Sequence, residues 1–115
     1  MGYKVLIKRP DEKIGHMTWI SGTLENLQTH VEGLIEAVPV ANDPLVLMIV
    51  NENGKIIDGM EENFWFGNPE TYRDLVYGTV VVCGVDETGE DFSDIPISRQ
   101  QWKRMLEDWG NNVNE

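Results

Sequence analysis

The side chains best suited to chemistry lie in one short stretch, Asn63-Phe64-Trp65-Phe66-Gly67-Asn68-Pro69, with Tyr72-Arg73 just beyond it. A flat ring beside a guanidinium suits a nucleobase-and-phosphate ligand. The ring stacks on the base and the guanidinium makes a bidentate contact with the anion. Alternate residues on an extended backbone face opposite ways. If Phe64 and Phe66 point inward, Trp65 points out, towards solvent, a cleft or a partner chain. A second group follows the basic pair Lys8-Arg9: the loop Gly15-His16-Met17-Thr18-Trp19, which could close over a phosphorylated ligand. The expected ligand site is therefore Asn63, Trp65, Tyr72 and Arg73, closed by His16 and Trp19. The competing reading puts Trp65 in a core or dimer interface, with Arg73 paired to Glu70 or Asp74. Lys8 and Arg9 would then be ordinary surface ion-pair partners, worth ~0 to 1 kcal/mol.

Nothing in the chain reads as a catalytic signature. Its two histidines, His16 and His30, have no metal-ligand spacing with the lone Cys83. Ser21, Ser93 and Ser98 sit where caps and turns are expected, and no G-x-S-x-G or phosphate loop occurs. The acidic pairs Asp11-Glu12, Glu61-Glu62 and Asp86-Glu87 are sequence neighbours, which point apart on helix and strand alike. The run Asp86 to Asp94 lacks the ligand order of a calcium loop. The expectation is a non-enzymatic chain with no cofactor and no metal.

Charge limits the partners. Twenty acids against nine bases give a formal net charge of -11 over 115 residues. Between Glu25 and Asp94 there are fifteen acids and only two bases, Lys55 and Arg73. Such a field repels nucleic acid and anionic membrane over most of the surface. An anionic ligand must then be held by the chain ends, by Arg73 or Lys55, or by backbone N–H groups. A single cysteine inside Thr79-Val80-Val81-Val82-Cys83 reads as a buried, inert thiol. Val5-Leu6-Ile7 is too short for a signal peptide, and no apolar run approaches the ~20 residues of a membrane span. The expected setting is the cytoplasm.

The elements that must position these groups read as an α+β domain, a largely antiparallel sheet of about five strands with two helices. Expected strands are Tyr3–Lys8, Met17–Ile20, Leu34–Val40, Leu45–Val50 and Thr79–Val85. Leu45–Val50 is apolar throughout and so is buried on both faces. Asn53-Gly54 between apolar runs signals a hairpin whose return strand starts at Lys55–Ile57. Residues 61–77 are expected to be irregular, with a short helix over Glu70–Val76. Ser21 or Thr23 caps a first helix carrying Leu24, Leu27 and Val31 on one face, with Gly33 as its left-handed terminator. Ser98 and Gln101 form a capping box for a second helix. Its stripe Trp102, Met105, Leu106, Trp109 follows helical periodicity, and Gly110 ends it. A single domain over residues 1–115 is expected, with 111–115 as a flexible tail.

Several motifs resemble a family of small proteins from phages and mobile elements, known only as a domain of unknown function. They are Val31-Glu32-Gly33-Leu34-Ile35-Glu36, Asn51-Glu52-Asn53-Gly54-Lys55, the isolated Asn63, and Asp74-Leu75-Val76-Tyr77-Gly78-Thr79-Val80-Val81-Val82. The resemblance spans roughly Leu24 to Val85. Glu32 stands where the pattern has a glycine, and Asn51 where it has an acid. Glu36, Glu52 and Asn63 are the motif residues with no evident structural task. The resemblance implies a phage or mobile-element setting, hence a host cytoplasm, and no particular activity. In that setting the leading expectation is a non-catalytic sponge that sequesters a small anionic, nucleotide-like immune signal. The alternative is an acidic DNA mimic or protein-binding inhibitor of a host defence protein. The surplus of apolar residues around Trp65 further suggests a homo-oligomer.

Overall fold

The structure is a computed structural model that describes residues 2–115. It is α+β: a six-strand antiparallel sheet, a two-strand sheet and two helices. In chain order the elements are β1 (Gly2–Lys8), β2 (His16–Ser21), α1 (Leu24–Val31), β3 (Ile35–Asn42), β4 (Leu45–Asn51), β5 (Glu62–Gly67), β6 (Arg73–Tyr77), β7 (Val80–Val85), β8 (Phe92–Ser93) and α2 (Arg99–Asp108). The large sheet runs β2-β1-β7-β4-β3, with β8 pairing to β7.

The central strands are apolar on both sides because both sides are covered. Val5 and Ile7 of β1, Leu47 and Ile49 of β4, and Val81 and Cys83 of β7 face one layer, with Leu27 and Val31 of α1. Leu6, Val46, Met48, Val50, Val80 and Val82 face the other layer, with Phe64, Trp102, Leu106 and Val113. The period-2 alternation thus divides each strand between two cores.

The helices begin as their caps dictate. Thr23 accepts from the Asn26 N–H, and Ser98 and Gln101 form the reciprocal capping box. Trp102 and Leu106 are buried, and Met105 and Trp109 pack at the edge of the same core. On α1 the apolar face is narrower than expected, since Leu24 is exposed. Its terminator also differs. Glu32, with φ 63°, takes the left-handed position, and Gly33 does not. Gly33 is needed for space instead: a Cβ there would lie 2.7 Å from Asn51 Nδ2. Asn51 Nδ2 donates to the carbonyls of Val31 and Glu32, which closes the helix end.

Two stretches depart from the sequence reading. The return strand at Lys55–Ile57 does not form; residues 52–59 are turns. Asn51 Oδ1 accepts from the Asn53 N–H, and the Asn53 carbonyl accepts from the N–H groups of Ile56 and Ile57. The chain therefore coils after β4. Gly54 does not adopt the positive φ that a type I′ hairpin needs. The expected short helix over Glu70–Val76 is instead β6, paired with β5 in a ribbon that places Trp65 opposite Leu75 and Phe66 opposite Asp74. The expected flexible tail is anchored. Asn111 bonds both the N–H and the carbonyl of Trp65, and Val113 is buried.

Candidate functional site

The β5–β6 ribbon packs on one face of the large sheet, and four of the expected residues, Asn63, Trp65, Tyr72 and Arg73, lie on or beside it. Phe64 points into the core and meets Trp102 edge-on at 5.7 Å, while its ring stacks on Trp109 at 6.2 Å. Phe66 meets Trp109 edge-on at 5.0 Å. Trp65 points the other way and is partly exposed, as the alternation on an extended segment requires.

Trp65 and Arg73 do come together. The guanidinium carbon lies 4.6 Å from the centre of a Trp65 ring. Arg73 also donates from Nη1 to the carbonyl of Trp109, at the end of α2. It therefore satisfies a terminal helix carbonyl, and its charge suits the negative end of the helix dipole. Neither Glu70 nor Asp74 holds it; Asp74 pairs with Lys55. Tyr72 is next to this pair in sequence and 74% exposed. The remaining expected residues do not join this pair. His16 bonds Glu12 at 2.8 Å on β2, and Trp19 is exposed on the same strand, at the outer edge of the large sheet. Burial pushes the Glu12 carboxyl up, but the Arg9 N–H and the His16 ring outweigh it and hold it below its ordinary range. Asn63 is a structural clamp, donating to the carbonyls of Lys8 and Gly78 and accepting from Lys8 Nζ. The six expected site residues therefore do not line one cleft.

A groove of about 490 Å³ opens on the other side of the ribbon. One wall is Val38 of β3 with Met48 and Val50 of β4; the opposite wall is Phe66 of β5 with Leu75, Val76 and Tyr77 of β6. The coiled segment Glu52–Ile56 closes one end. Glu36, Glu52 and Asp74 stand among the lining residues, and the Lys55–Asp74 ion pair ties the coiled segment to β6. The walls are mainly apolar, the charges few, and the volume lies within the ~300 to 1,000 Å³ usual for small-molecule sites. Two of the three motif residues without a structural task, Glu36 and Glu52, line this groove; the third, Asn63, does not. The sequence did signal these two glutamates. It gave no sign of the groove, because its walls come from four separate strands, β3, β4, β5 and β6.

The model of a domain of unknown function (DUF3846) matches residues 3–108. The chain belongs to this family. No curated protein and no solved structure matches it. The DUF3846 match reaches well beyond the Leu24–Val85 stretch that carried the resemblance, and takes in both helices. Two departures of this DUF3846 chain from the motif pattern now have local consequences. Glu32 occupies a left-handed position that glycine adopts without strain. Asn51 contributes two amide hydrogen bonds to the end of α1, which a carboxylate could not donate.

Among the described residues, no three His, Cys, Asp or Glu side chains gather as a metal site. No described helix is long and apolar enough to cross a membrane.

Proposed function

We propose that this protein binds a small ring-bearing ligand in the groove between the large sheet and the β5–β6 ribbon, and holds it without chemical conversion. The observation that carries the reading is the groove itself: apolar walls, a sparse charged rim, and no serine, cysteine or histidine among its lining residues. Sequestration needs shape, apolar contact and a few polar anchors, and all are present. Glu36, Glu52 and Asp74 favour a ligand that offers hydrogen-bond donors, such as the amino groups of a nucleobase. Lys55 can receive one phosphate if it exchanges Asp74 for the ligand. A ligand with several phosphates fits poorly beside three carboxylates in a chain of net charge -11.

In the phage or mobile-element setting that the family resemblance implies, this is a cytoplasmic sponge for a nucleotide-type immune signal. The Trp65–Arg73 pair is the weaker seat. Its guanidinium already lies on the Trp65 ring and bonds the Trp109 carbonyl, so a ligand there must displace both. A second reading, an acidic inhibitor that docks on a basic host protein, is favoured by the charge and by exposed Trp19, Tyr72 and Ile56. Those same exposed residues motivate a homo-oligomer.

The test incubates the purified protein with nucleosides and with linear and cyclic nucleotides, then releases any bound compound by heat. Intact ligand, lost in a Val38→Trp variant that fills the groove, supports the reading. Altered ligand means catalysis. No retained ligand, with capture of a basic protein, favours the inhibitor.

A further inference from the structure

The large sheet has two edges, and they are guarded differently. β3 closes one edge with an exposed Pro39, an exposed Glu36, and a shift of register between Pro39 and Ala41. Proline, charge and bulges are the devices by which an edge resists further pairing. β2 closes the other edge without them. It pairs with β1 through six consecutive residues with no shift, and from Met17 to Ser21 it carries no ionisable group. Trp19 stands on it 66% exposed. A two-fold contact sets like groups near like groups. In a chain of net charge -11, an acid-free strand is therefore well suited to meet its own copy.

The backbone of β2 fixes how a copy can pair. The Lys4 N–H donates to Asp94 Oδ1 and the Lys4 carbonyl accepts from the Ile95 N–H, so both turn away from β2. Antiparallel ladders alternate. Tyr3, Val5 and Ile7 therefore bond Ile20, Thr18 and His16, and the N–H and C=O groups of Met17, Trp19 and Ser21 face outward. The Ser21 carbonyl is taken by Asn26 Nδ2, and the Gly15 carbonyl by Arg99 Nε. Met17 and Trp19 keep free groups, because β2 has no second strand neighbour among the described residues. A copy centred on Trp19 would need the Ser21 carbonyl, and one centred on Met17 would need that of Gly15. Centred on Thr18, it uses only free groups: Met17 faces Trp19 of the copy, and Trp19 faces its Met17. These side chains share the face of Leu6, so a thioether meets each indole. On the other face Thr18 meets Thr18 across a wide pair, where side chains approach most closely.

We propose that the protein forms a two-fold dimer in which the β2 strands of two copies pair antiparallel about Thr18 and join their sheets into one. The fit of this register to itself favours a second copy over a foreign peptide. The dimer supplies an interface for the homo-oligomer already proposed and rests on that part of the reading alone. The groove lies at β3 and β4, towards the far edge of the sheet, and stays open in the dimer. Either can fail without the other.

The test is sedimentation equilibrium in about 0.15 M salt, which screens the long-range charge of each copy. With rising concentration the wild-type mass should climb from 13.1 kDa to twice that value. Thr18→Lys and Thr18→Glu each set like charges opposite each other at the two-fold, so each alone should weaken association at least ~10-fold. Their equimolar mixture should dimerise again, because opposite charges then meet. Hydrogen exchange on the wild-type chain needs no variant to fold: the Met17 and Trp19 amides should be protected at high concentration and exchange freely on dilution. A wild-type mass that stays at 13.1 kDa at high micromolar concentration overturns the proposal. So does a dimer that both folded variants form as well as the wild type, since it uses another surface. Exchange at Met17 and Trp19 that ignores concentration overturns it equally.

Discussion

The two faces of the large sheet are covered by different means. On one face a single helix of eight residues, α1, lays Leu27 and Val31 on an aliphatic surface. On the other face α2 and the β5–β6 ribbon bring four aromatic rings together, Phe64, Phe66, Trp102 and Trp109. The first face is closed mainly by aliphatic side chains, with the Tyr3 ring among them and its hydroxyl buried. The second is closed by large rigid rings and a two-strand ribbon. The groove of about 490 Å³ lies between that ribbon and strands β3 and β4. Space is left beside both covers: a hollow of about 580 Å³ borders α1 at Leu24 and Leu27, but its rim carries Glu90, Asp91 and Asp94. The groove and the Trp65–Arg73 pair both fall on the ribbon's side.

Substitution of Trp102 should show this contrast most strongly. Trp102 is fully buried and donates from Nε1 to the Ile14 carbonyl at 2.9 Å. Trp102→Ala should cost ~3 to 5 kcal/mol and leave the chain largely unfolded. Leu27→Ala on the opposite face should cost ~2 to 4 kcal/mol. Urea titrations of both variants measure the difference, and equal losses would mean the aromatic face has no special weight.

Alkaline titration should separate the faces by sign. Lys8 on the ribbon face binds its proton less tightly folded than unfolded, so between about 8 and its ordinary value of 10.5 the unfolded chain holds more protons. Stability contributed by Lys8 therefore rises with pH across that window, by ~3 kcal/mol if nothing opposes it. On the other face burial pushes the Cys83 thiol from 9.0, and the Tyr3 hydroxyl from 10.0, up to about 12 each. There the folded chain holds more protons, and stability falls above pH 9 and again above pH 10. The sum should rise from pH 8 to about 9, flatten, and then decline. Lys8→Met should remove the rise, and Cys83→Val should delay the decline. Urea midpoints at half-unit pH steps resolve the two; a rise that survives Lys8→Met would remove Lys8 as its source.

Val38→Trp addresses the groove. Val38 is partly exposed at the β3 edge, so the larger ring should fill the groove with little strain. Ligand affinity should fall at least tenfold, or about 1.4 kcal/mol, with the melting temperature nearly unchanged. The smallest effects concern the helix ends. Ser98→Ala breaks a reciprocal cap on the aromatic face and should cost about 1 kcal/mol. On the α1 face Glu32→Gly should stabilise by up to about 1 kcal/mol, because the left-handed position no longer carries a Cβ. Thermal melts of the two variants should move in opposite directions.

Local signals were legible wherever a few neighbouring residues decide the outcome. The capping box, the Trp102–Trp109 stripe, the apolar strands β1, β4 and β7, and the alternation of Phe64, Trp65 and Phe66 could all be read directly. Asn53-Gly54 misled because a competing local bond, Asn53 N–H to Asn51 Oδ1, coils the chain before a hairpin can form. Residues 70–76 read as a short helix, yet residues 73–77 are a strand because β5 supplies the ladder that their sequence alone could not show.

What the sequence by itself determined is the composition of each layer: which positions are apolar, where helices start, and how strongly negative the surface is. Those follow from solvation and from bonds between residues a few positions apart. Tertiary structure alone decided which groups meet. Lys8 lies 55 positions from Asn63, and Val38 lies more than 30 from Asp74. A buried amine with neutral partners and a groove with an acidic rim exist only once β5–β6 packs on the sheet, since burial and cavity shape belong to the packed layers and to no single segment.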